Sequence, residues 1–362
     1  MIAGGICVAS LDRRIALPPL LAVGLLLLAA CGGGDPQPPA STPDAGVTPV
    51  INAPLEAGDA RFLLARRNVI ENVTLSGQGT GIVTLEDNRR IFDLALSPNR
   101  AQIAFVVERP AYTNPDGVLD FGADLYVSGL DGGNLRLLAA HDTVGSYFEA
   151  PAWLDDATLL VGWRGFDPSG STSRIERVEV ASGARQVVLD DAAMGALSPD
   201  RRTIVYTAID PPTRVQRLVL EDVTAGDSPR VLVDENDGLA LFSAVAFSPN
   251  GSRLAFAAVD LGTTAPPPMP PRSQAAPDTP LPAAVTHPFA QDVWLVDPAD
   301  GTGLHRLADI AENMPSVSWS GDGSILYVLG PGFLWRLDPA TGAAEMLRQS
   351  GEPGAIVWLE GG

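Results

Sequence analysis

One phrase recurs five times along this chain, and nothing else in the sequence restricts the fold as much. Its copies are Ala95-Leu96-Ser97-Pro98-Asn99, Ala152-Trp153-Leu154-Asp155-Asp156, Ala196-Leu197-Ser198-Pro199-Asp200, Ala246-Phe247-Ser248-Pro249-Asn250-Gly251 and Ser318-Trp319-Ser320-Gly321-Asp322-Gly323. Each holds a small residue, a large apolar one and a Ser-Pro-Asp-Gly-like turn. Each then enters an apolar run: Ile103-Ala104-Phe105, Leu159-Leu160-Val161, Ile204-Val205-Tyr206, Leu254-Ala255-Phe256 and Ile325-Leu326-Tyr327. Pro, Asp/Asn and Gly set a tight turn between two β-rich runs, so each unit starts as a hairpin. A third run follows, as in Asp124-Leu125-Tyr126-Val127 and Asp292-Val293-Trp294-Leu295, then a glycine turn such as Asp131-Gly132-Gly133, then a fourth short run. Four antiparallel strands recurring roughly every 40 to 70 residues, with little helical periodicity, predict an all-β, six-bladed β-propeller of four-stranded blades.

The blade count rests on the ends. Ala355-Ile356-Val357-Trp358-Leu359 matches a first strand, while Arg61–Ala65, Val69–Val73 and Gly81–Leu85 supply a second, third and fourth. Joined, they make one blade that seals the ring through its N- and C-terminal strands and removes an open sheet edge. The alternatives are an open β-sandwich or a seventh, degenerate blade. First strands crowd at a propeller axis, which accounts for the small residues Ala95, Ala152, Ala196, Ala246 and Ser318. Their large neighbours Leu96, Trp153, Leu197, Phe247, Trp319 and Trp358 are expected to fill the gaps between blades.

The Ser-Pro-Asp/Asn-Gly turn before an Ile/Leu-Ala/Val-Phe/Tyr strand, with a later Asp-Leu/Val-Tyr/Trp strand, resembles the repeat of TolB-type six-bladed propellers over residues 59–360. The resemblance implies a fold more than an activity, because such blades occur in periplasmic scaffolds and as gating domains of prolyl-oligopeptidase-like enzymes. Two features depart from the TolB pattern: no α/β domain precedes the repeats, and the N-terminus carries a lipid-anchor signal.

That signal is compact. Arg13 and Arg14 precede an apolar run broken by Pro18 and Pro19 and closed by Leu28-Ala29-Ala30-Cys31, after which the chain turns to Gly32-Gly33-Gly34-Asp35. The run falls short of the ~20 residues of a membrane span and fits a secretory signal. It resembles a bacterial lipobox, which implies cleavage after residue 30, acylation of Cys31 and, with Gly32 rather than aspartate next, sorting to the outer membrane facing the periplasm. The expected domains are a signal peptide over 1–30, a Pro/Gly-rich tether over 31–58, and the propeller over 59–362 with a Pro-rich insertion at 262–288. Cys7 leaves with the signal, so no disulfide is available and the domain stands on packing.

Composition narrows the function. The chain holds 24 basic and 43 acidic residues for a net charge of −19, so it lacks the cationic footprint of a nucleic-acid binder. Lysine is absent, which excludes Schiff-base chemistry and a Walker-type phosphate loop. No Gly-x-Ser-x-Gly elbow is present, and the three histidines, His141, His287 and His305, are scattered. No catalytic residue is assigned, and no cofactor is required. Calcium is the one cation the carboxylates suggest: Asp116, Asp120 and Asp124 recur every four residues, and Asp234–Gly238 is a second acidic patch, though neither has EF-hand spacing. The expectation is a monomeric, non-catalytic lipoprotein, attached to the membrane through Cys31, whose propeller binds an envelope protein. The alternatives are an enzyme or a small-molecule or glycan binder using the axial channel, and a calcium-stabilised module with no dedicated ligand.

Overall fold

The computed structural model describes residues 47–48, 61–85, 89–113, 119–167, 170–223, 228–262, 290–351 and 353–360. Everything in them is β-strand or turn except one 3-10 turn at Glu235–Asp237. The expected signal peptide, Cys31 and the core of the Pro-rich insertion lie outside these residues.

In chain order, β1 (Val47–Thr48), β2 (Arg61–Arg66), β3 (Val69–Thr74) and β4 (Gly79–Leu85) come first. Then follow β5 (Arg90–Leu96), β6 (Gln102–Thr113), β7 (Leu119–Gly129), β8 (Arg136–Ala139), β9 (Tyr147–Asp155), β10 (Thr158–Asp167), β11 (Gly170–Glu179) and β12 (Arg185–Asp190). The third group is β13 (Ala192–Leu197), β14 (Thr203–Ile209), β15 (Gln216–Asp222) and β16 (Arg230–Val233). The fourth is β17 (Leu239–Phe247), β18 (Leu254–Asp260), β19 (Gln291–Val296) and β20 (His305–Glu312). The last is β21 (Ser316–Trp319), β22 (Leu326–Leu329), β23 (Phe333–Leu337), β24 (Ala344–Gln349) and β25 (Gly354–Glu360).

Three of the repeats are separate four-stranded meanders: β13 to β16, β17 to β20 and β21 to β24. The first two differ from the expected separate blades. A parallel bridge between Ala123 and Tyr147 fuses them into one eight-stranded sheet. The terminal sheet runs β1-β4-β3-β2-β25, so the last strand pairs with Arg61–Arg66 and unites the two ends of the chain. Its fifth strand, β1, comes from within the span read as tether. No sheet closes on itself by hydrogen bonds.

The repeated phrase has a repeated physical cause. In four units the serine Oγ donates to the Asn/Asp side chain two residues on, at 2.6–2.8 Å, and accepts the N–H five residues on, at 2.9–3.1 Å. The Asn/Asp oxygen in turn accepts an N–H from beyond the turn. The Ser and Asn/Asp side chains of each turn are thus bonded within five residues, as in an Asx-type turn. Its fourth position is left-handed in all four, with Gly251 and Gly323 there in two and Arg100 and Arg201 in the others.

Side chains tie neighbouring first strands together. Trp153 Nε1 donates to the Ala95 carbonyl at 3.2 Å, and Trp319 Nε1 donates to the Ala246 carbonyl at 3.1 Å. The small residue lets an indole from the next unit reach the backbone, so the Ala/Trp pairing in the sequence is one contact seen from two sides. Asp93 Oδ2 accepts from Ala150 N at 2.8 Å; Ser316 and Ser318 Oγ accept from Ile356 N and Trp358 N at 3.1 and 2.7 Å. The six first strands lie side by side in the order β5, β9, β13, β17, β21, β25, and β25 lies beside β5 again. Large side chains fill the spaces between units, as expected: Trp358 stacks on Tyr327 at 5.6 Å and meets Phe62 edge-on at 5.2 Å.

Candidate functional site

Chain direction sorts the connections onto two ends of the sheets. The first-to-second and third-to-fourth strand turns share one end, the turn end. The second-to-third strand loops and the crossovers between units share the other, the loop end. The turn end is made of short, self-satisfied turns. At the loop end the strands reach further in two adjacent units: β6 and β7 have 12 and 11 residues and β10 and β11 have 10 each, against 7 in β14 and β15. Those two hairpins form the fused sheet, so they rise together as a wall.

A connected series of side chains runs along this wall. It begins on the first strand of unit one with Asp93, which reaches the Ala150 amide. Beside Ala150, Glu149 is buried and accepts from Arg164 NH2 at 3.2 Å. The Arg164 guanidinium lies 5.7 Å from the centre of the Tyr147 ring, and Tyr147 meets Phe166 at 6.0 Å with a 30° tilt. Phe166 is exposed at the rim. Gly162 opposite Glu149 leaves room for the acid, since a Cβ there would stand 2.8 Å from Glu149 Cγ. Burial pushes Asp93 up to about 7; the Ala150 N–H opposes the shift and the charge of Glu149 adds to it. Tyr147 is pushed up by burial and by Glu149, and Arg164 up by the charge of Glu149. The series therefore brings two acidic side chains, a guanidinium and two rings together.

The Asp93 shift has a testable sign. Its unfolded form ionises near ~3.9 while the folded form holds its proton to about 7, so folded-state stability falls as pH rises through that window. Asp93→Asn keeps an acceptor for Ala150 without the charge. Its melting temperature should match wild type at pH 4, draw ahead up to pH 7 and stay ahead at pH 8. Equal melting at pH 8 would contradict the burial of the charge.

The residues proposed for calcium fall out differently. Asp116 lies outside the described residues. Asp124, fully buried, accepts from His141 N at 2.8 Å, from His141 Nδ1 at 2.7 Å and from Arg109 Nε at 2.5 Å. Asp120 stands on the other side of the imidazole, 3.4 Å from His141 Nε2. Burial raises the Asp124 carboxyl, but the His141 and Arg109 bonds outweigh it and hold it below the usual range; the Asp124 bond in turn raises His141. Asp292 occupies the same strand position in unit four and accepts from Ile310 N, Ala311 N and Arg306 NH1. There burial, with Asp309 nearby, leaves the carboxyl raised. Asp124 clamps the crossover that follows β8, whereas Asp292 holds the end of β20 itself. The second acidic patch is likewise in use: Asp234 and Asp237 close a capping box around Glu235–Asp237, and Glu235 pairs with Arg217 at 2.9 Å. Among the described residues no group of three or more His, Cys, Asp or Glu stands close enough together to hold a metal.

Sequence reasoning did not single out Asp93, Glu149, Tyr147, Arg164 or Phe166. The one local signal was Trp163-Arg164-Gly165-Phe166, which prolongs a strand where the other units turn. At the opposite end, a shallow groove of about 440 Å³ is lined by Gln102, Ser128, Asp131, Asn134 and Arg136. Its Arg136 is engaged by the Val180 carbonyl.

No protein-family model matches the sequence, and no curated protein is similar to it in sequence. Solved structures are similar in fold. A putative TolB from Agrobacterium tumefaciens is 19% identical with a TM-score of 0.47, over 76% of this chain and 90% of that one. The chain is similar in fold to TolB-like β-propellers. An oligogalacturonate lyase from Vibrio parahaemolyticus is 12% identical with a TM-score of 0.48, over 81% and 82% of the two chains. The tricorn protease is 15% identical with a TM-score of 0.51, over 80% of this chain and 26% of the protease. At 12–19% identity these likenesses are ones of fold alone. No helix among the described residues is long and apolar enough to cross a membrane.

Proposed function

We propose that this chain is a non-catalytic binding module of the cell envelope: a six-bladed propeller, closed where β25 meets β2, monomeric, and attached through acylated Cys31 to the periplasmic side of the outer membrane. The side-by-side order of the six first strands and the pairing of the chain ends support the ring. The lipobox-like Leu28-Ala29-Ala30-Cys31 supports the anchor.

One observation carries the docking role. Leu119, Val144, Phe166, Leu241, Leu261 and Met314 are all exposed at the loop end, Met314 to 66% and Leu261 to 62%. Leu137, Val187, Val188, Val231 and Met346 are exposed on the outer fourth strands, and Val223 is exposed at the turn end. Scattered apolar residues need no account, but a collection on one end marks an interaction surface. We read the loop end as a protein-docking face. A photo-crosslinking residue at position 166 or 314 should capture a partner in intact envelopes, and one at position 223 should not. Equal capture from both ends, or none from the loop end, would contradict the assignment.

The wall from Asp93 to Phe166 favours a second reading, a small polar ligand or glycan held at the axial mouth, since such sites combine aromatic surface with a few fixed polar groups. In that case a soluble ligand raises the melting temperature of the wild type and not of Arg164→Ala.

A further inference from the structure

His141 occupies a slot that a single strand builds. Asp120, Gly122 and Asp124 alternate along β7, so the pleat turns all three to one face. The imidazole lies across Gly122, where a Cβ would stand 2.6 Å from its Cδ2, so only glycine leaves room for the ring between the two acids. The side chain of His141 is 6% exposed. Its nitrogens face different partners: Nδ1 is 2.7 Å from the fully buried Asp124, and Nε2 is 3.4 Å from Asp120. The remaining charges nearby are engaged. Arg109 of β6 also bonds Asp124, Tyr112 of β6 bonds Asp120, and Asp142 pairs with Arg174 of β11 and Arg185 of β12.

A neutral imidazole carries one N–H. The buried Asp124 carboxylate fixes it on Nδ1, which leaves the Nε2 lone pair facing the Asp120 carboxylate. An imidazolium donates to both acids. The bond to Asp124 thus exists in both states and the bond to Asp120 in only one. Asp120 stands where the wall changes from anchored to weakly held. Outward of Arg109–Gly122 the β6–β7 register breaks at Pro110 and Ala111, both exposed. Among the described residues only Tyr112–Asp120 and Thr113–Leu119 pair beyond the break, and Pro110 has no N–H to give to the ladder. Next to Asp120, Phe121 is fixed to the crossover, its carbonyl accepting from Gly145 N at 2.8 Å.

We infer that His141 is a pH-operated latch: as an imidazolium it ties Asp120 to Asp124 and holds Tyr112–Thr113 and Leu119–Asp120 in place, and as a neutral ring it releases them. The bond to Asp124 raises the titration of His141 above the usual ~6.5, so the latch is closed in acid and opens on the alkaline side of that value. Leu119, 51% exposed, is one of the loop-end apolar residues, so one edge of that face follows the proton. The latch acts within the chain and does not depend on the docking reading.

Hydrogen exchange of the full mature chain at pH 6 and pH 9, expressed as protection relative to the unstructured rate at each pH, tests it. Amides of Thr113, Leu119 and Asp120 should lose protection roughly tenfold at the higher pH, while those of β9 and β10 keep theirs. Asp120→Asn should abolish the difference, because an amide can donate to the neutral ring; His141→Gln should abolish it too, and either variant carries the test if the other fails to fold. In imidazole NMR, Asp120→Asn should also lower the His141 midpoint by about half a pH unit. Three results overturn the inference. Protection of these amides is the same at both pH values; or its pH dependence survives Asp120→Asn, which assigns it to another group such as Asp93; or β9 and β10 lose protection by the same factor, which makes the change a general loosening.

Discussion

Deletion of Gly354–Glu360 is expected to unfold the whole domain rather than fray one end of it. The strand carries Ala355, Ile356 and Leu359 into the core and stacks Trp358 on Tyr327. At about 1.5–3 kcal/mol for each large apolar side chain buried, its loss removes on the order of 5–8 kcal/mol as an upper figure. A domain holds ~5–15 kcal/mol in total, so the deletion is comparable to the whole. It also strips the partner from Arg61–Arg66 and the Ile356 and Trp358 amides from Ser316 and Ser318. Thermal melting followed by circular dichroism should show a broad, early transition or none. Removing Gly361 and Gly362 alone should change nothing. If the shortened chain melts as late and as sharply as the intact one, the terminal strand is not part of the core.

Asp124→Ala should be the most damaging single substitution. It leaves the His141 and Arg109 side chains without the buried carboxylate that pairs with both. Breaking a buried pair costs about 3–5 kcal/mol, and Arg109, one-third exposed, recovers some of that from water, so the expected loss lies near ~3 kcal/mol. Asp124→Asn keeps an acceptor for the His141 amide and should lose less. The pH dependence has two arms. Asp124, held low when folded, contributes stability above ~3.9 that is lost as pH falls through its lower folded value. His141, held high, contributes fully below ~6.5, and that part disappears as pH rises through its higher folded value. Urea unfolding of wild type and His141→Gln should therefore differ most in mildly acidic buffer and converge in alkaline buffer. A constant difference from pH 5 to pH 9 would show that the imidazole acts only by packing.

Much of this architecture was legible in the sequence because its cause is local. Ser97, Ser198, Ser248 and Ser320 each close a turn with groups within five residues, so the pattern survives in one dimension. The pairing of Ala355–Leu359 with Arg61–Ala65 was legible for a different reason: each fragment lacks what the other has. The fusion of the first two units was not, since it depends on how far β7 reaches beside β9, and that length looks like an ordinary hairpin. The loop-end series was also hidden. Asp93 and Ala150 are 57 residues apart, and only the neighbouring of two first strands brings them together. The acidic spacing of Asp120 and Asp124 pointed to a cation, whereas the folded chain places His141 between them. A histidine 17 residues downstream of Asp124 gives no spacing signal. Exposure of Phe166 or Met314 is likewise invisible in a strand-like string, because alternation does not say where a sheet stops having a neighbour.

The claim on which the rest depends is that the two ends of the chain meet in one sheet, and amide hydrogen exchange on the mature protein tests it directly. Amides in Ala355–Leu359 and in Arg61–Arg66 should be protected as strongly as those in β9 and β17, and should exchange with them in a single cooperative opening. Rapid exchange across Ala355–Leu359 while β9 and β17 remain protected would contradict the account.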